Sequence, residues 1–196
     1  MYRLLNRAIQ RFVCDVNGPE VWAEVTATAA LGFDTFEPMV TYDPTVTETV
    51  ITAAAFECGK PRDALLEDLG NYLVTWPDSG VFRRLLRFGG PDFHTFLLSL
   101  EDLPDRARLV LPSREFPSVE VHDFGLSNVV IYINSPLAGT AHVALGVLRG
   151  MADDYGVLAT IEHRGLYRGS ERLTVNIHDA GFATGRDFRL VNAGNG

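Results

Sequence analysis

The sequence predicts an α+β fold, a helical N-terminal lobe followed by a four-stranded antiparallel sheet with one long helix across it. Three observations predict it. Apolar residues recur at steps of three and four through most of the first hundred positions. Period-two and β-branched runs begin only after Pro112. One helical stretch, Ala141 to Tyr155, then divides those runs into two pairs.

The elements follow in order. Tyr2 to Val16 carries Leu4, Leu5, Ala8, Ile9, Phe12 and Val13 on one helical face and Arg3, Arg7 and Arg11 on another. Asn17-Gly18 ends it, and Pro19 opens a second helix with Glu20 in its first turn. Leu31 to Pro44 reads as loop, with Phe33, Phe36 and Met39 turned inward. Asp43-Pro44-Thr45 starts a third helix that runs to about Cys58 and stops at Gly59. Pro61 to Thr75 is a fourth, with Leu65, Leu66, Leu69, Tyr72 and Leu73 at helical spacing. Asp78-Ser79-Gly80 breaks the chain, and Val81 to Arg87 continues helical with Phe82, Leu85, Leu86 and Phe88.

The stretch from Phe93 to Arg106 organises the rest. Phe93, Phe96, Leu97, Leu100 and Leu103 form one apolar stripe. Pro91 and Asp92 suit its start. The sequence predicts one continuous helix that ends near Leu103, because proline disfavours helical geometry in the residue before it. Beyond it, Ser118 to Asp123 alternates and Val129 to Asn134 is β-branched, with Gly125-Leu126-Ser127-Asn128 as the turn. Val143, Leu145, Val147, Leu148 and Met151 give the long helix its inner face. Val157 to Gly165 and Glu171 to His178 form a second hairpin through Tyr167-Arg168-Gly169-Ser170. The expected organisation is a single domain over residues 1–185 and a C-terminal tail over 186–196.

Composition narrows the function. A chain of 196 residues with 46% hydrophobic and 21% charged content can bury a real core. A net charge of −8 argues against a nucleic-acid surface. Cys14 and Cys58 match no metal or redox spacing and read as free thiols. Met1-Tyr2-Arg3 leads into no apolar signal region, and no run approaches a membrane span. The expected location is cytoplasmic.

No enzyme constellation stands out, and the chain is read as non-catalytic. His94, His122, His142, His163 and His178 show no HxxxH spacing, so each reads as a surface or half-buried polar residue. Glu101-Asp102 and Asp153-Asp154 are sequence neighbours that do not face one another on a helix, and read as solvated surface. No phosphate-binding loop spacing is present.

Several strings resemble the H-NOX family, the heme nitric oxide/oxygen binding domains that include the N-terminal domain of the soluble guanylate cyclase beta subunit. They include Asn17-Gly18-Pro19-Glu20-Val21-Trp22, Asp68-Leu69-Gly70, Asp78-Ser79-Gly80 and Leu85-Leu86-Arg87-Phe88-Gly89-Gly90. Further along come Phe96 to Leu103, Phe116-Pro117-Ser118 and Leu145 to Gly150. The resemblance runs in unbroken order over roughly residues 1–180. It implies a helical lobe with a C-terminal four-stranded sheet, a heme cofactor, and a sensing role.

The departures from the family pattern matter more. The family's proximal histidine, its heme-iron ligand, falls on Pro104, which has no donor atom. The family's Tyr-x-Ser-x-Arg signature, which holds the heme propionates, falls on Ile133, Ser135 and Leu137, and only Ser135 matches. Leu137 cannot replace a guanidinium, and Tyr132 lies one residue off on the opposite strand face. Pro117 belongs to the family pocket. The distal tyrosine of oxygen-binding members falls on Val143, beside His142. The expectation is therefore an H-NOX scaffold whose usual heme ligation is lost, so that heme is absent or bound in another way. His142 is the fallback ligand, and so the fallback metal contact. His94, about 15 Å before Pro104 on one helix, is weaker. By resemblance the partner is a signalling protein such as a histidine kinase or a cyclic-di-GMP enzyme. An apolar small ligand in the vacated space is the other expected input.

Overall fold

Helix-start chemistry places the elements. The computed structural model describes residues 2–37, 40–76, 80–110 and 116–185. The expectations for Met39, Asp78-Ser79, Pro112 and the tail 186–196 lie outside those residues. Helix α1 spans Tyr2–Asn17, α2 Pro19–Thr28, α3 Pro44–Glu57, α4 Arg62–Thr75 and α5 Gly80–Arg87. Pro19 and Pro44 sit in first turns, where their missing N–H costs nothing. Asp43 caps α3 by accepting from the Thr45 N–H at 2.8 Å. The loop before α3 turns Phe36 fully inward, with Phe33 and Tyr42 packed on it at ring distances of 5.2 and 4.9 Å. Phe88 lies just past the end of α5 and is 69% exposed.

The organising stretch is not one helix. Helix α6 covers only Phe93–Leu98, a 3-10 turn follows over Ser99–Asp102, and a new helix, α7, runs Leu103–Val110. Asp92 caps α6 through the Thr95 N–H at 2.8 Å. Pro104 starts a helix rather than ending one. It lies in the first turn of α7, where its absent N–H has no intrahelical partner to lose. Leu103 takes helical angles, φ −59° and ψ −42°, despite preceding a proline. Arg106 ties the pieces together by donating to the Ser99 carbonyl at 2.7 Å.

Strands β1 (Ser118–Asp123), β2 (Asn128–Asn134), β3 (Leu158–Tyr167) and β4 (Ser170–Asp179) form one antiparallel sheet in the order β1-β2-β4-β3. Helix α8, Thr140–Tyr155, crosses it. Between Ile161 and His163 the β3–β4 register keeps one offset, with His163 opposite Leu173. After a bulge, Leu166 opposes Glu171.

Two apolar cores result. The sheet core joins Ile131, Ile133, Leu145, Leu148, Met151, Leu173 and Val175 to Phe93, Phe96 and Leu97 of α6. The helical core joins Ile9, Phe12, Trp22, Phe36, Ile51, Leu66 and Leu69, and it also takes Leu137. Helices α4 and α8 link them at close range. A Cβ on Gly146 would overlap the Glu67 carbonyl, and one on Gly70 would overlap the Val143 carbonyl. Only glycine fits at that crossing. Among the described residues no helix is long and apolar enough to cross a membrane.

Candidate functional site

Pro104 is buried in the first turn of α7. The segment leading to it packs through aromatic rings. Phe93 and Phe96 lie 5.9 Å apart, and Tyr155 of α8 sits 6.0 and 5.8 Å from them. The Tyr155 hydroxyl donates to the Gly90 carbonyl at 2.8 Å, and the Arg87 guanidinium lies 4.1 Å over its ring. Burial pushes the Tyr155 hydroxyl above its usual pKa, so it stays a neutral donor. His94 is not on the helix of Pro104. It belongs to α6, and its Nε2 lies 3.3 Å from Asp123 of β1. The Gly125 amide, with His94 adding to it, holds the Asp123 carboxyl below the usual range.

The other sequence-predicted positions divide between the cores. Ile133 is buried in the sheet core and Leu137, 2% exposed, in the helical core. Ser135 lies between them and shapes the turn into α8. Its Oγ accepts from the Leu137 N–H at 3.2 Å and lies 2.9 Å from Thr140 Oγ1, whose proton reaches the Leu137 carbonyl at 2.7 Å. Tyr132 points to the opposite sheet face, against His122 and Tyr167 at 5.2 and 5.6 Å. Pro117 is half-buried just ahead of β1. Val143 is half-buried, packs on the helical core and faces Gly70 with its carbonyl. A heme needs an axial N, S or O donor and, for its propionates, cationic or hydrogen-bonding partners. Pro104, Ile133 and Leu137 offer none of these.

Polar donors gather elsewhere. His142, in the first turn of α8, lies against His163 of β3 with ring centres 4.5 Å apart and the rings tilted by 42°. Its Nδ1 lies 3.3 Å from Glu67 Oε1 and its Nε2 3.6 Å from Asp63 Oδ2, both on α4. Ligand atoms of His142, His163 and Glu171 all fall within 4.8 Å of one another. Spacing along the chain did not reveal this group. A hairpin counted straight back from Arg168-Gly169 sets His163 opposite Thr174, with Glu171 on the other face. The bulge removes one residue of offset and turns both side chains to the same face.

One acidic reading changes. Asp154 is buried, not solvated, and pairs with Arg83 Nε at 2.5 Å. Glu101 is exposed, but it caps the edge of β1 by accepting from the Val121 N–H at 2.7 Å.

A cleft of about 590 Å³ opens between α1, α4 and the start of α5. Leu4, Ala8, Leu73, Trp76 and Phe82 give it an apolar wall, with Arg7 and Arg11 among its lining residues. Tyr72 lines it too. Its hydroxyl donates to Asp15 at 2.5 Å, and burial, then that carboxylate, pushes its pKa up. Burial also raises the Cys14 thiol, which lowers its thiolate fraction and reactivity. None of Pro104, Pro117, Ile133, Ser135, Leu137, His142 and Val143 lines this cleft.

A family model described as Haem-NO-binding matches residues 2–163. A soluble guanylate cyclase of Caenorhabditis elegans, gcy-31, is 23% identical over 154 residues, covering 79% of this chain and 22% of that protein. Soluble guanylate cyclase 89Db of Drosophila melanogaster is 20% identical over 155 residues, 79% of this chain and 23% of its own. The chain thus spans about a fifth of the length of these relatives. An Fe(II) unliganded H-NOX protein from K. algicida superposes with a TM-score of 0.78 at 16% identity, over 91% of this chain and 97% of that one. The Fe(II)NO form of an H-NOX protein from S. oneidensis gives 0.75 at 15% identity, over 91% and 100%.

Proposed function

The chain belongs to the Haem-NO-binding family, and from that premise we propose that it is a sensor or regulatory domain acting on a separate signalling protein, with the family's usual heme ligation lost. The family is one of sensor domains rather than catalytic ones. The observation that carries the reading is Pro104, buried in the first turn of α7, where the family resemblance sets the proximal histidine. Ile133 and Leu137 support it, since each is absorbed into an apolar core where the family pattern has tyrosine and arginine. A propionate entering there would meet no guanidinium, and an unpaired buried charge is costly. The output passes through contact with a partner. Family resemblance points to a histidine kinase or a cyclic-di-GMP enzyme. The cleft between α1 and α4 is the natural entry for a small apolar ligand, because Leu4, Ala8, Leu73, Trp76 and Phe82 line it.

Hemin titration of the wild-type chain and of His142→Ala tests the ligation reading. Both proteins are expected to bind hemin loosely, without saturating at one heme per chain and without a sharp Soret band. A sharp stoichiometric band that shifts with nitric oxide overturns it. If that band is lost in His142→Ala, the alternative reading holds, a gas sensor with His142 as its axial ligand.

A further inference from the structure

We propose that His142, His163 and Glu171 form a binding site for a divalent metal ion of the zinc class, independent of any heme. The three ligand atoms lie within 4.8 Å of one another and come from α8, β3 and β4. Zinc takes imidazole nitrogen and carboxylate oxygen at about 2.0–2.2 Å, so small rotations of these half-buried side chains would close the shell.

The site has an orphaned donor. His163 Nε2 is buried and makes no hydrogen bond. Glu171 Oε2 stands only 3.4 Å away, but off the direction a hydrogen bond requires. A nitrogen left this way costs free energy that a metal bond would recover. The surrounding groups suit a ligand shell. The Ala141 N–H donates to Glu171 Oε1 at 3.4 Å and orients that carboxylate. Glu67 lies 3.3 Å from His142 Nδ1, the carboxylate–imidazole contact that fixes a ligating ring. Glu67 is itself anchored, because Arg149 donates to its other oxygen at 2.5 Å. Asp63 adds negative charge at 3.6 Å from His142 Nε2, and water would fill the remaining coordination position.

The chemistry is borderline rather than hard. Two imidazoles with one carboxylate favour zinc or a neighbouring transition metal over magnesium or calcium, which prefer oxygen shells. The ion would pin the first turn of α8 to the β3–β4 hairpin.

Zinc titration of the tag-free chain, followed by a competing chelator dye and by thermal melting, tests the site. The wild type is expected to bind one zinc per chain and to melt higher with it. Replacing a ligand, in His163→Ala or the near-isosteric Glu171→Gln, should weaken binding at least about 100-fold, and Glu67→Gln about 10-fold. His178→Ala, on the exposed end of β4, should bind like the wild type. Circular dichroism of each variant shows whether it folds, and Glu171→Gln carries the test if a histidine variant does not. The proposal is overturned if the wild type binds no stoichiometric zinc, or if folded Glu171→Gln and His163→Ala bind it as tightly as the wild type.

Discussion

The α6–α7 segment and the outer edge of α8 are built from opposite materials. Around Pro104 the chain packs Phe93, Phe96, Leu97 and Leu100 inward, and the proline adds no donor. At the start of α8, two imidazoles and three carboxylates crowd against one another. The comparison teaches that one fold can set a wholly apolar segment beside a cluster of polar donors. The family superposition covers 91% of the chain, yet the donor-bearing side chains stand on a helix edge rather than at Pro104.

The sharpest way to break the contrast is to put a charge back. Leu137→Arg restores the residue type of the family signature at a position 2% exposed in the helical core. It should cost about 4 kcal/mol or more in urea unfolding, because the guanidinium enters an apolar core without a partner. A loss under about 1 kcal/mol would mean that the position still accommodates a guanidinium.

Gly146→Ala probes what both regions share. The added Cβ meets the Glu67 carbonyl, so α4 and α8 must separate. A loss of about 3 kcal/mol is expected. Chemical shifts of His142 and of Phe96 should move together, since α8 carries the first and packs against the second.

Asp92→Ala gives the smallest effect and touches only one region. Losing the cap on α6 should cost about 1 kcal/mol. The Thr95 amide holds the Asp92 carboxyl below its usual range. Its contribution is therefore fully present above the unfolded value of about 3.9 and fades as pH falls through the lower folded one. The stability gap between wild type and variant should close over that acidic window, and a gap unchanged into strong acid would contradict the capping role.

Much of the fold was legible because local chemistry decided it. Asp43-Pro44, Gly18-Pro19 and the paired turns around Gly125 and Gly169 fixed element boundaries to within a few residues. The Phe93–Arg106 stretch misled because its apolar stripe suits one helix, whereas the 3-10 turn at Ser99 depends on contacts such as Arg106 to the Ser99 carbonyl. Asp154 gave no sequence sign of burial, since Arg83 lies 71 residues away. The proposed departures at Pro104, Ile133 and Leu137 rest on the family resemblance alone. The histidine pair was hidden by a single bulge residue in β3.

The central claim is that the family fold persists here without the family's heme ligation. The most direct test is the ultraviolet–visible spectrum of the protein purified from heme-replete cells, read with its heme-to-protein ratio. The account predicts a spectrum without a Soret band and a ratio near zero. A sharp Soret band at one heme per chain that responds to nitric oxide would contradict it.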